Sequence, residues 1–161
     1  MLKLRKNKKG FTLVELIVVI AIMAVLAGTV AGVTVSQLNK QTNNSGATQV
    51  KLIADYVVQE IGADPDNVIE TSGTGSTAIT VFKASTAQGS SGYVILDNIK
   101  ANMKNDKFAW GNQKGQIDVA VDAATKTTVT ITYYAKGNGD NTVYTVTADG
   151  VLTKTAPAAS N

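Results

Sequence analysis

No charged side chain lies between Glu15 and Lys40. The uncharged interval, Leu16 to Asn39, holds about 24 residues, which as an α-helix would be roughly 36 Å long at ~1.5 Å per residue. A bilayer core needs only about 20 consecutive apolar residues. One carboxylate, Glu15, sits at the front edge of this run, and a basic tail of Lys3, Arg5, Lys6, Lys8 and Lys9 precedes it.

From the residues alone, two readings fit. In a secretory signal peptide, Leu16 to Ala27 would be the apolar region and Ala27 or Ala31 the small residue at the cut. In a single-pass anchor, the same length and flanking charges set the span and its orientation. Neither accounts for Glu15. A carboxylate near the centre of a spanning helix costs about 2.5–3.5 kcal/mol, and less near its edge. A charge kept at that position calls for a partner.

The ordered stretch Lys9-Gly10-Phe11-Thr12-Leu13-Val14-Glu15-Leu16 resembles the prepilin leader and mature N-terminus of type IV pilins and pseudopilins. The close match covers about residues 5–27; the remainder agrees with that family in architecture only. The resemblance implies that a prepilin peptidase cuts after Gly10, that Phe11 is then N-methylated, and that Glu15 serves filament assembly. It implies a structural subunit of a type IV pilus-like filament. The alternatives are a pseudopilin of a secretion or DNA-uptake system, or a secreted or membrane-anchored binding protein with an ordinary signal peptide. The implied partners are further copies of the chain in a helical filament, the peptidase, the pilus assembly machinery, and the membrane before assembly. The chain would begin as a single-pass precursor in the inner or cytoplasmic membrane and end in an extracellular pilus at the cell surface.

One feature departs from the family pattern. Many members carry a proline in the second half of the apolar helix; here the region reads Ala27-Gly28-Thr29-Val30-Ala31-Gly32-Val33. Gly28 and Gly32 each lower helix propensity by about 1 kcal/mol relative to alanine, which makes them a candidate soft point. The same G-x-x-x-G spacing lets two helices approach closely, and small residues are common in membrane helices in any case. These readings stay open.

Charge and composition narrow the chemistry. The formal net charge is +3, but residues 1–10 carry five basic groups and no acid. Without them, ten lysines face 12 Asp and Glu, a formal −2. The processed chain therefore gives no reason to expect nucleic-acid binding, and the leader's charge keeps that end in the cytoplasm. Cysteine and histidine are absent, which removes disulfides, thiolate metal sites and the commonest general base. We read the chain as no enzyme, with no catalytic residues, no cofactor and no metal site. A calcium ion at Asp140 or at Asp64–Asp66 has turn carboxylates to draw on, but no EF-hand-like spacing supports it.

The expected fold class is α+β: a long N-terminal helix, half hydrophobic and half amphipathic, packed against a C-terminal antiparallel sheet. The expected division is a leader over 1–10, a transmembrane or filament-core helix over 11–35, an amphipathic half over 36–62, a connecting αβ region over 63–115, the antiparallel sheet over 116–155 and a disordered tail over 156–161. Ala47, Val50, Ala54, Val57 and Ile61 form the amphipathic stripe, and Gly62 and Pro65 end it. By local propensity the helix would break near Asn43; the family resemblance instead implies one helix over 12–61. Residues 63–77 read as a flexible connector, Ala78–Phe82 and Tyr93–Leu96 as short strands, and Asp97–Lys104 as a short helix capped by Asp97. Phe108 and Trp110 read as satellite core. Alternating apolar residues at Ile117–Val121, Val129–Tyr133 and Val143–Thr147, then Val151–Thr153, read as a meander covered on one face by the Val50–Ile61 stripe.

Overall fold

The computed structural model describes residues 10–103, 108–137 and 139–155. The expected leader up to Lys9, the end of the short helix at Lys104, the turn residue Asn138 and the tail over 156–161 lie outside the described residues. The chain is α+β: a long N-terminal helix followed by antiparallel sheets. It divides into two units, residues 1–38 and 39–161. Helix α1 (Leu13–Ala63) contributes to both.

In the first unit α1 is apolar on every side. Leu16, Ile20, Val25 and Val30 are all exposed, as expected of a helix whose neighbours are lipid or other helices. Two of its hydroxyls bond back within the helix. Thr29 Oγ1 donates to Leu26 O at 2.9 Å and Thr34 Oγ1 to Val30 O at 2.8 Å, so neither hydroxyl needs water. Among the described residues this is the one helix long and apolar enough to cross a membrane, with a best 18-residue window of mean hydropathy 2.8.

In the second unit, α1 lays Val50, Ile53, Ala54, Val57 and Ile61 into a core completed from the sheet by Ile117, Val129, Ile131, Tyr133 and Val146. The spacing expected from the sequence is the buried face. Strands β3 (Ile117–Val121), β4 (Thr128–Tyr133), β5 (Thr142–Thr147) and β6 (Leu152–Thr155) follow one another as an antiparallel meander. Register aligns Val129 with Val146 and Val146 with Leu152 on the core side. On the other face Ala120, Thr130, Thr145 and Thr153 form one row across the four strands. The alternation fixes which face is dry, because a one-residue slip would turn this threonine row inward.

Two expectations are corrected between the helix and the meander. The connector is not structureless. After α1, Pro65 opens the short helix α2 (Pro65–Val68), where its missing N–H would be unpaired anyway. Strand β1 (Ile69–Ser72) then pairs with β2 (Ile79–Phe82) around a single 3₁₀ turn at Gly75–Thr77. Tyr93–Leu96 is not a strand. Tyr93 is the N-cap of α3 (Val94–Asn102), and Asp97 lies in its first turn instead of capping it. A run of four β-favouring apolar residues does not distinguish strand from buried helix. Here Ile95, Leu96 and Ile99 all reach the core, which is helical spacing. The Asp97 carboxylate instead accepts the Ser91 amide at 2.7 Å. A bond from the Ser85 hydroxyl, and then that amide, hold it below the usual carboxylate range.

Helix α3 is also tied to α1 by a polar chain. Asn102 Nδ2 donates to Tyr56 Oη at 2.7 Å, and Asn98 Nδ2 to Glu60 Oε2 at 2.9 Å. Burial, and then the Glu60 carboxylate, push the Tyr56 phenol up to about 12, so it keeps its proton as a donor. Phe108 and Trp110 stack with ring centroids 5.7 Å apart and pack, half-buried, on the core.

Candidate processing and assembly site

Gly10, Phe11 and Thr12 precede the helix and carry no regular structure. Phe11 is 91% exposed, and a side chain built at Gly10 would meet nothing within 4 Å. Both sides of the Gly10–Phe11 peptide bond are open.

The helix starts abruptly for a reason legible in four residues. Thr12 and Glu15 form a capping box: the Thr12 amide and hydroxyl both donate to Glu15 Oε2, at 2.8 and 2.9 Å, and the Glu15 amide donates back to Thr12 Oγ1 at 3.3 Å. The first helical bond follows, from the Leu16 amide to Thr12 O at 3.3 Å. Two of the donors that a helix N-terminus leaves without internal partners are thereby satisfied. The sequence reading took Glu15 as a charge in search of a partner and missed Thr12. The signal was present as T-x-x-E ahead of an apolar run.

The box leaves the carboxylate half used. Both Thr12 donors fall on Oε2, and among the described residues Oε1 meets no donor. Phe11 and Glu15, one turn apart, line the same apolar groove with Val14, Leu16, Val18 and Val19. A cation arriving there would meet an oxygen held in place by its own backbone.

Gly28 and Gly32 lie further along the same unit, away from this cluster. The helix is continuous across both, and a Cβ at either would meet nothing within 4 Å. Asp64, Asp66 and Asp140 are not gathered into a group: among the described residues no set of three or more acidic side chains could hold a metal.

Residues 5–31 match the family model for the prokaryotic N-terminal methylation motif, the type IV prepilin signature. Neither a curated protein nor a solved structure matches the chain.

Proposed function

We propose that this chain is a structural subunit of a type IV pilus-like filament, made as a membrane-inserted precursor. It is cut after Gly10 by a prepilin peptidase, methylated on the new Phe11 amine, and polymerised through its apolar N-terminal helix. The observation that carries this reading is the join between the methylation motif at residues 5–31 and a helix whose large apolar side chains, Leu13 to Val35, are exposed.

The chemistry follows from the charges. Removing residues 1–10 deletes the basic tail and leaves an ammonium group on Phe11. In an apolar filament core an unpaired Glu15 carboxylate is strongly unfavourable, whereas an opposite charge within about 4–6 Å favours its ionised form. The Phe11 amine of a neighbouring subunit is such a charge, and Glu15 Oε1 is open to receive it. Burying about 1,000 Å² of apolar helix would be worth tens of kcal/mol relative to water at ~25 cal/mol per Å². Relative to lipid it is worth far less, since lipid already covers that surface. Assembly therefore needs machinery that lifts subunits from the bilayer.

The test is to shear the surface of cells expressing the chain and to measure the N-terminal mass of the filaments recovered. The expected terminus is methylated Phe11. A mature terminus at Gly28 or Gly32, in soluble secreted material, would establish the signal-peptide reading instead.

A further inference from the structure

We infer that the Thr12–Glu15 capping box is a helix stop that keeps the Gly10–Phe11 bond extended for the peptidase, making Thr12 a positioning residue for processing. This rests on the proposed cleavage after Gly10. It assigns a second task to Glu15, separate from pairing in the filament.

The argument begins with hydrogen-bond donors. A helix end surrounded by lipid or headgroups cannot leave its first amides unpaired cheaply. Without the box, the simplest way to satisfy the Glu15 and Val14 amides is to extend the helix by a turn, with the Glu15 amide on the Phe11 carbonyl and the Val14 amide on the Gly10 carbonyl. That second bond would take the oxygen of the scissile peptide. In the observed structure the Glu15 amide is occupied by Thr12 Oγ1, the Thr12 amide by Glu15 Oε2, and the ladder begins at Leu16 to Thr12. The Gly10 carbonyl stays outside the ladder, and Phe11 is exposed. Glycine at position 10 opposes helix extension further, by its own low propensity.

Hydrolysis needs that carbonyl free. Water adds across the bond: its hydroxyl goes to the Gly10 carbonyl carbon, which becomes a carboxylate, and the proton balance leaves the Phe11 nitrogen as an ammonium. The Phe11–Thr12 peptide bond is not broken, so the box survives cleavage and keeps Glu15 held by Thr12.

The experiment uses the full-length precursor in detergent micelles or liposomes with a prepilin peptidase. Initial cleavage rates are compared for wild type, Thr12→Ala and Thr12→Ser, and amide exchange or NMR shifts at Phe11 to Val14 report where the helix begins. Thr12→Ala should be cut about five-fold more slowly, the rate equivalent of a typical cap, with the Val14 amide newly protected on the Gly10 carbonyl and Phe11 and Thr12 at helical shifts. Thr12→Ser, which keeps the hydroxyl, should restore both. Equal rates for all three, or an unmoved helix start in Thr12→Ala, would overturn the inference while leaving the cleavage reading intact. Wild-type precursor that is not cut after Gly10 would overturn both.

Discussion

The Tyr133 ring lies against the backbone of α1 at Gly46, so closely that a Cβ on Gly46 would overlap the ring. The Tyr133 hydroxyl reaches past it to Thr42 O and Asn43 Oδ1, each at 3.3 Å. Asn43 in turn pairs with both backbone groups of Lys136: its Nδ2 donates to Lys136 O at 3.0 Å and its Oδ1 accepts the Lys136 amide at 2.8 Å. This contact is what carries α1 through Gln41–Gly46, where local propensity alone favours a break.

Replacing Gly46 with alanine sets two effects against each other. Helix propensity should gain about 1 kcal/mol, while overpacking against Tyr133 should lose ~1–3 kcal/mol. The ring is nearly fully buried and has nowhere to retreat, so we expect net destabilisation, read as a lower thermal midpoint of the full chain in detergent. A raised midpoint would show that the ring moves aside freely.

Asn43→Ala should remove the partner of two Lys136 backbone groups and destabilise the unit by ~1–3 kcal/mol. The local signature is faster hydrogen exchange at the Lys136 amide, with the amides of the β3–β4 pair unaffected. Tyr133→Phe, which keeps the ring, should cost about 1 kcal/mol. Wild-type exchange in Asn43→Ala would mean that the Lys136 backbone is held elsewhere.

Acid should loosen the turn between β3 and β4. Asp122 accepts the Ala124 amide at 2.9 Å and the Thr125 hydroxyl at 2.8 Å, and those bonds, the amide first, lower its pKa. A lowered folded-state pKa gives stability that is present above the unfolded value, about 3.9, and is lost as pH falls through the folded value. Asp97, lowered by its Ser85 and Ser91 bonds, adds to the same window. Unfolding titrations of wild type should therefore steepen below about pH 4, and an Asp122→Asn, Asp97→Asn double variant should flatten there. An unchanged slope would remove these carboxylates from the acid response.

Glu15→Gln separates charge from shape. Glutamine also serves in a capping box, so the variant should insert and be cut after Gly10, yet accumulate as unassembled membrane subunits because nothing pairs with the Phe11 amine. Full filament yield from cells expressing only this variant, with processing verified by mass, would reject the pairing role.

Gly28→Ala with Gly32→Ala should strengthen the helix by about 1 kcal/mol per site. If this pair is where the helix yields on leaving the membrane, the double variant should alter assembly or filament elasticity. Normal yield and unchanged stretching mechanics would dismiss the soft point.

The long helix and the meander were legible because each rests on a local pattern: an uncharged run, the Val50–Ile61 spacing, the alternation through Thr128–Tyr133. Continuity through Asn43 was not legible in the residues themselves. Its cause lies 90 residues away at Tyr133, and no window along the chain contains both. The Tyr93–Leu96 error had another origin: the apolar run is too short for its period to show, and the deciding residue, Ile99, sits just beyond it. Ile69–Ser72 was missed because β1 has three exposed residues out of four, and turn-forming residues follow it. Thr12 is local and readable as T-x-x-E, but that pattern caps a helix only where the helix begins, and the uncharged run by itself does not set that start.

The bond between Asn43 and Lys136 also imposes an order on synthesis. The two residues are 93 positions apart, so at roughly 5–20 residues per second Asn43 emerges about 5–20 s before its partner exists. Through that interval the polar run of α1 has nothing to hold it helical, and a short helix segment on its own is marginal in water. The apolar Val50–Ile61 stripe waits for the same strands. Its closure is a non-local event, which folds slowly compared with helix formation. The first unit is complete when its last residue emerges, whereas the second can close only when nearly the whole chain has been made.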